Sequence, residues 1–340
     1  MGVIEMSDSQ DTQVLGLPRQ AGLPLFSYGL LKHDEFFYGT VQPFVKDGGV
    51  DVNVKIGGTL YEKDGIPLYV TDYSVDGTIG DVLTFADAAA AYQAISAAMP
   101  ASLYEWGELT LPDGRQANVL LCASSLRKAD GSVHRAVLMC SAEWHSINDP
   151  LLDSGMAFLK KTFYNKLVNE EYVSGEAQRS IYAEIFEFQM AYALLWSIIE
   201  RYSTFRYGIG KDKATVCRLL AGDDLLQKTL RAMDGHLWTK DGSTVDVATA
   251  DGGGTVTFCF SQFISAATEG EALDRASEIL SYYYQAQTLP VHRSRHSSKD
   301  LALLQNCFIE LFVLMDNVVS AAIQHERRGE DSLYQFVSLT

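Results

Sequence analysis

From Glu176 the chain contains neither Pro nor Gly until Gly208, and Ile181, Ile185, Phe188, Tyr192, Leu195, Ile199 and Tyr202 recur at alternating steps of four and three residues. At 3.6 residues per turn these positions fall on one stripe, so the stretch from Gly175 to Tyr207 is expected to form a long amphipathic helix. Leu304, Phe308, Leu311, Met315 and Val318 repeat the spacing, with Asp300 placed to cap that helix and Pro290 placed to end the one before it. Long helices with one apolar stripe bury it against each other, which commits this half of the chain to a bundle. Between the helices, "TVDVATADGGGTVTFCF" alternates about a glycine-rich turn and predicts an inserted β-hairpin.

Before Pro150 the pattern is different. Short alternating or apolar runs such as "PLFSYGLL", "VDVNVKIGGTLYE", "GTIGDVLTF" and "GELTLPDGRQANVLLCA" are separated by glycine turns, and only "ADAAAAYQAISAAM" reads as a helix. The first residues are polar, then rich in Gly and Pro. The expected organisation is a flexible leader at 1–22, a strand-rich domain at 23–150 and a helical domain at 151–340. This is an α+β chain whose first domain is a mixed β-barrel or sheet with one helix, and 340 residues suffice for two separate cores.

The string Leu25-Phe26-Ser27-Tyr28-Gly29-Leu30-Leu31 is a strand entering a tight turn, where backbone amides can face a carboxylate. Together with "IGGTLYEKDGIPLYV" and "GTIGDVLTF", it resembles the gamma-glutamylcyclotransferase-like fold over roughly residues 23–145. The resemblance implies a pocket at Tyr28, Gly29, Leu30 and Leu31 for the amino-acid end of a substrate. It also implies a glutamate that takes a proton from the attacking amine. The position it assigns to that base holds Met99, whose thioether cannot accept the proton. Glu105 and Glu108 lie nearby as displaced alternatives, each with a plainer reading as solvent-facing strand charge. The module is therefore expected to be a sensor of a small molecule or protein, or a scaffold.

"EFQMAYALLWSIIERYSTFRYG" followed by "YYYQAQTLPVHRSRHSSKDLALLQNCFIELF" resembles the HEPN superfamily over roughly residues 155–325. Its members carry an Arg-x4-6-His motif where one helix meets the next, and many cleave RNA without a metal. The histidine corresponds to His292, which puts Gln287 at the arginine position and Thr288 after it. Such a site needs a group that titrates near neutrality to exchange protons with the ribose 2′-hydroxyl and the leaving oxygen. It also needs a cation for the charge growing on the phosphate. Gln287 supplies no charge, while Arg293, Arg295 and His296 would hold phosphate. The plain reading of "HRSRH" is a solvated connection between helices. Trp196 reads as core or interface, and Glu200 and Arg201 as structural. HEPN domains usually pair, so a homodimer or higher oligomer is expected.

A net charge of -16 excludes broad nucleic-acid binding over the whole surface, so any RNA contact has to be local. The five cysteines are scattered and odd in number, which yields neither a disulfide frame nor a zinc site, and they read as reduced core residues. No metal or other cofactor is expected. The opening residues lack a basic-then-apolar secretion pattern and no apolar run is read as long enough to span a membrane, so a cytoplasmic protein is expected. The leading expectation is a HEPN-type endoribonuclease, or its impaired form, from a prokaryotic toxin or antiviral defence system. The alternatives are a gamma-glutamyl amine cyclotransferase releasing 5-oxoproline and a non-enzymatic adaptor.

Overall fold

The computed structural model describes residues 14–71, 77–169, 181–209, 213–233, 244–248, 255–259, 268–292 and 298–328. The chain divides into two compact units, one of Met1–Ser146 with Phe205–Gly210 and one of Ile147–Thr204 with Lys211–Thr340. Strands dominate the N-terminal half and helices the C-terminal half, the arrangement of an α+β protein.

In the first unit, β1 (Leu25–Ser27) is buried at all three residues because it is the middle strand of its sheet. It pairs antiparallel with β5 (Thr78–Phe85) and parallel with β7 (Gln116–Cys122). The five-stranded sheet is completed by β2 (Val45–Ile56) outside β5 and β6 (Tyr104–Thr110) outside β7. β2 is exposed at most positions, and its register against β5 shifts twice, as suits a bulged edge strand. A second sheet runs β4 (Ile66–Val70), β3 (Thr59–Lys63), β8 (Val137–Leu138). Among the described residues β4 has only β3 as a ladder partner, and this edge position tolerates the missing N–H of Pro67. Helix α1 (Ala88–Ala98) begins at Asp87, whose carboxylate accepts the Ala90 amide at 3.0 Å, and it buries Tyr92 and Ile95.

Residues 14–22 hydrogen-bond to the rest of the unit: Gly16 O accepts from Ser96 Oγ and Trp106 Nε1, and Gln20 O accepts from Asn118 Nδ2. Leu15 is buried as well.

The second unit opens with α2 (Met156–Leu159) and α3 (Asn165–Val168), with π-helical turns at Leu151–Gly155 and Lys160–Tyr164. Then follow α4 (Ile181–Tyr207, which belongs to this unit as far as Thr204), α5 (Lys213–Ala221), α6 (Asp224–Met233), α7 (Glu269–His292) and α8 (Ser298–Arg328). Ile185, Phe188, Tyr192, Leu195, Ile199 and Tyr202 of α4 are all buried, the stripe the spacing predicts; the expected start at Gly175 lies outside the described residues. Phe163, Phe188 and Phe308 form an edge-to-face triangle with centroids 5.8–6.1 Å apart. β9 (Thr244–Ala248) and β10 (Thr255–Cys259) pair antiparallel.

Four expectations are corrected. α7 continues to His292, so Pro290 sits in its last turn, where its missing N–H removes one backbone hydrogen bond without ending the helix. α8 starts at Ser298, so Asp300 lies in its first turn, a place the helix dipole favours for an acid, and is not its cap. Leu304–Ile323 of α8 has a mean hydropathy of 1.6 and is long and apolar enough to cross a membrane by composition; 56% of it is buried inside the unit, where its apolar stripe packs. Cys122, Cys217 and Cys307 are buried, but Cys140 is exposed beyond the end of β8, where the chain has left the sheet.

Candidate functional site

Tyr28, Gly29, Leu30, Leu31 and Met99 line one cavity, together with Pro67, Tyr104 and neighbouring residues of β1 and β7. β1 delivers the first four directly from its C-terminal end. Met99 arrives because α1 stops there: its amide still bonds to Ile95 O, but its backbone is extended and turns the chain inward. The cavity measures about 20 Å³, room for about one water molecule.

Its polar groups face one another. Tyr28 Oη donates to Leu120 O at 2.6 Å and accepts the Tyr69 amide at 3.3 Å; Tyr104 Oη donates to Pro67 O at 3.0 Å. Burial holds both phenols well above the usual tyrosine range, so they remain neutral donors. Among the lining residues there is neither a carboxylate nor a cation. Glu105, one residue past Tyr104, points to the other face of β6 and binds Arg127 and the Ser124 amide. Glu108 is exposed and accepts from Gln20 at 2.7 Å. Neither alternative base lines the cavity.

Immediately after the turn lies a polar cluster that sequence reading passed over. Lys32, buried, donates to Glu143 at 2.5 Å. The His145 ring sits between two carboxylates, with Nδ1 3.1 Å from Glu35 and Nε2 3.2 Å from Glu143. Glu35 is buried, and its other oxygen accepts from the Ser146 amide and hydroxyl. Asp34 Oδ2 is 3.7 Å from His145 Nδ1. On the other side, Asp81 accepts the His33 amide at 3.0 Å and lies 2.8 Å from its ring. The bond to Glu35 raises His145 above the ordinary imidazole range. Burial raises Glu35 despite its donors. For Glu143 burial works upward, but Lys32 and His145 hold it below the carboxylate norm. Among the described residues two sets bring ligand atoms within 4.8 Å of one another: His33, Asp34 and Asp81, and Asp34, Glu35 and His145. The segments meet across more than a hundred positions of sequence. The legible signal is only a charged "KHDE" directly after an apolar strand.

In the second unit Gln287, Thr288 and His292 belong to the end of α7, with Thr288 and His292 one turn apart. Arg293, Arg295 and His296 lie outside the described residues. Trp196 is buried and meets Tyr284 edge-on at 5.4 Å; Arg201 pairs with Asp149 at 3.5 Å. Sequence reading also passed over Glu310 of α8, a buried carboxyl that accepts from Tyr283 Oη at 2.9 Å. Burial pushes it up to about 7.

Comparison of the chain with protein-family models, with curated proteins and with solved structures returns no match.

Proposed function

We propose that the helical unit is a HEPN-type ribonuclease module impaired at Gln287, of the kind found in prokaryotic toxin and defence systems, joined to a cyclotransferase-like sensor or scaffold without chemistry of its own. The observation that supports it is the place of the motif: His292 is the last residue of α7, and the basic "RSRH" precedes α8, which begins at Ser298. In this reading His292 exchanges protons with the 2′-hydroxyl and the leaving oxygen, while Arg293 and Arg295 hold phosphate. A pairing of two copies brings two such sets to one RNA. Gln287 keeps polar hydrogens but contributes no charge to the transition state.

Restoring the arginine tests it. Losing one such electrostatic donor slows an enzyme by about 100- to 1000-fold, so Gln287→Arg is expected to cleave a labelled single-stranded RNA faster by a factor of that order and to arrest the expressing cell. Adding His292→Ala should silence both effects. A Gln287→Arg protein that neither cleaves nor arrests growth sinks the proposal.

The reading of the first unit rests on the cavity, which offers a thioether where a base is required and room for a single water. No 5-oxoproline should form from gamma-glutamyl amino acids; its release would make the unit an enzyme.

A further inference from the structure

We propose that Asp34, Glu35 and His145 bind one divalent transition-metal ion, Zn²⁺ or Mn²⁺, in the first unit. This is independent of the ribonuclease reading.

Three possible donor atoms lie within 4.8 Å of one another. His145 Nδ1 lies 3.1 Å from Glu35 Oε1 and 3.7 Å from Asp34 Oδ2. Ligands bound at about 2.0–2.2 Å from a metal stand roughly 3 Å or a little more from each other, so a small inward movement of Asp34 completes the set. One imidazole and two carboxylates suit Zn²⁺ or Mn²⁺, with the remaining positions left to water.

The surroundings are those of a built site. A metal-bound histidine directs its second ring nitrogen to a carboxylate; here Nε2 faces Glu143 at 3.2 Å, and Glu143 is in turn fixed by the buried Lys32 ammonium. A ligating carboxylate is held through its other oxygen; Glu35 Oε2 accepts from both the amide and the hydroxyl of Ser146. Asp34 is the group left without such a partner. Its Oδ2 faces His145, and its other oxygen, Oδ1, is buried without a hydrogen bond among the described residues and pairs with the Lys32 ammonium at 3.7 Å. The local charge favours a cation: Asp34 and Glu143 share Lys32, while Glu35 faces His145 and Ser146.

The neighbouring set of His33, Asp34 and Asp81 is already closed. Both oxygens of Asp81 accept backbone amides, from His33 at 3.0 Å and Asn53 at 3.2 Å, and the His33 ring bonds to the same carboxylate.

The test uses the full chain, stripped with EDTA and titrated calorimetrically with ZnCl₂ or MnCl₂ alone. One equivalent is expected to bind, with a rise in the thermal midpoint. Asp34→Asn and His145→Ala should each abolish saturable binding at that site. Glu143→Gln, which removes only the outer partner, should weaken it about 10- to 100-fold. Each variant is compared with the wild type by circular dichroism. If His145→Ala fails to fold, the partly exposed Asp34→Asn decides together with Glu143→Gln, because Glu143 backs His145 and does not belong to the neighbouring set of His33, Asp34 and Asp81. Absence of binding, or binding that Asp34→Asn leaves unchanged, overturns the proposal.

Discussion

Glu310 is the one acid among "CFIELFVLM", and α8 turns it into the core of its unit against Tyr283. Its carboxyl titrates at about 7 when folded against 4.5 when free, because burial opposes the charge. The unfolded chain therefore gives up this proton first as pH rises. The contribution of this one group to stability falls between pH 4.5 and 7 by about 3 kcal/mol and changes no further above that. Glu310→Gln keeps an acceptor for Tyr283 and never ionises, so it should melt near the wild type at pH 5 and several degrees above it at pH 8. A gap that is the same at both values would show that the carboxyl is not the cause. Gly29 makes a steric case: a Cβ there would lie 2.5 Å from Pro67 Cγ. Gly29→Ala should cost about 1–3 kcal/mol in a denaturant titration, since Pro67 belongs to a buried strand and has to move. The Tyr-Gly turn was legible because a strand entering a glycine turn leaves a local mark, whereas Met99 was reached only through the resemblance to the gamma-glutamylcyclotransferase-like fold. The sequence could not show that Asp34, Glu35 and His145 converge, since "KHDE" alone reads as solvated surface.

Among elements, α4 and α8 were legible because 3.6-residue periodicity is written within one segment, and β9 and β10 because alternation on both sides of a glycine run is too. Sheet order was not. β1 lies between β5 and β7, with one antiparallel and one parallel neighbour, and no feature inside "LFS" says which strands those are. What the segment does show is three apolar or small residues in a row, which a strand covered on both sides accepts. Gly80 records the same packing from β5. A Cβ on it would strike the Ser27 carbonyl of β1, a backbone atom that cannot turn aside. Gly80→Ala should therefore lower the denaturation midpoint more than Gly29→Ala, where the obstacle is a side chain. An equal or smaller loss would mean that β1 and β5 can separate without cost to the sheet.

At the scale of the whole molecule, charge is the deciding term. A protein of net charge -16 repels RNA at distances beyond the roughly 8 Å screening length of physiological salt only weakly, and within it strongly, so the proposed binding of RNA requires a local cationic patch. The proposed patch offers Arg293 and Arg295 per chain. Each phosphate neutralised on a single strand contributes about -0.7 to the slope of log affinity against log salt, giving about -1.4 for one chain and about -3 for a pair acting together. The slope for a single-stranded RNA thus reports whether two copies share one ligand. Arg293→Gln with Arg295→Gln should flatten it towards zero and weaken binding alike for different sequences, as phosphate contacts carry no base information. If those changes leave affinity and slope as they were, RNA is held by another surface, and the cluster in "HRSRH" is a solvated connection between α7 and α8.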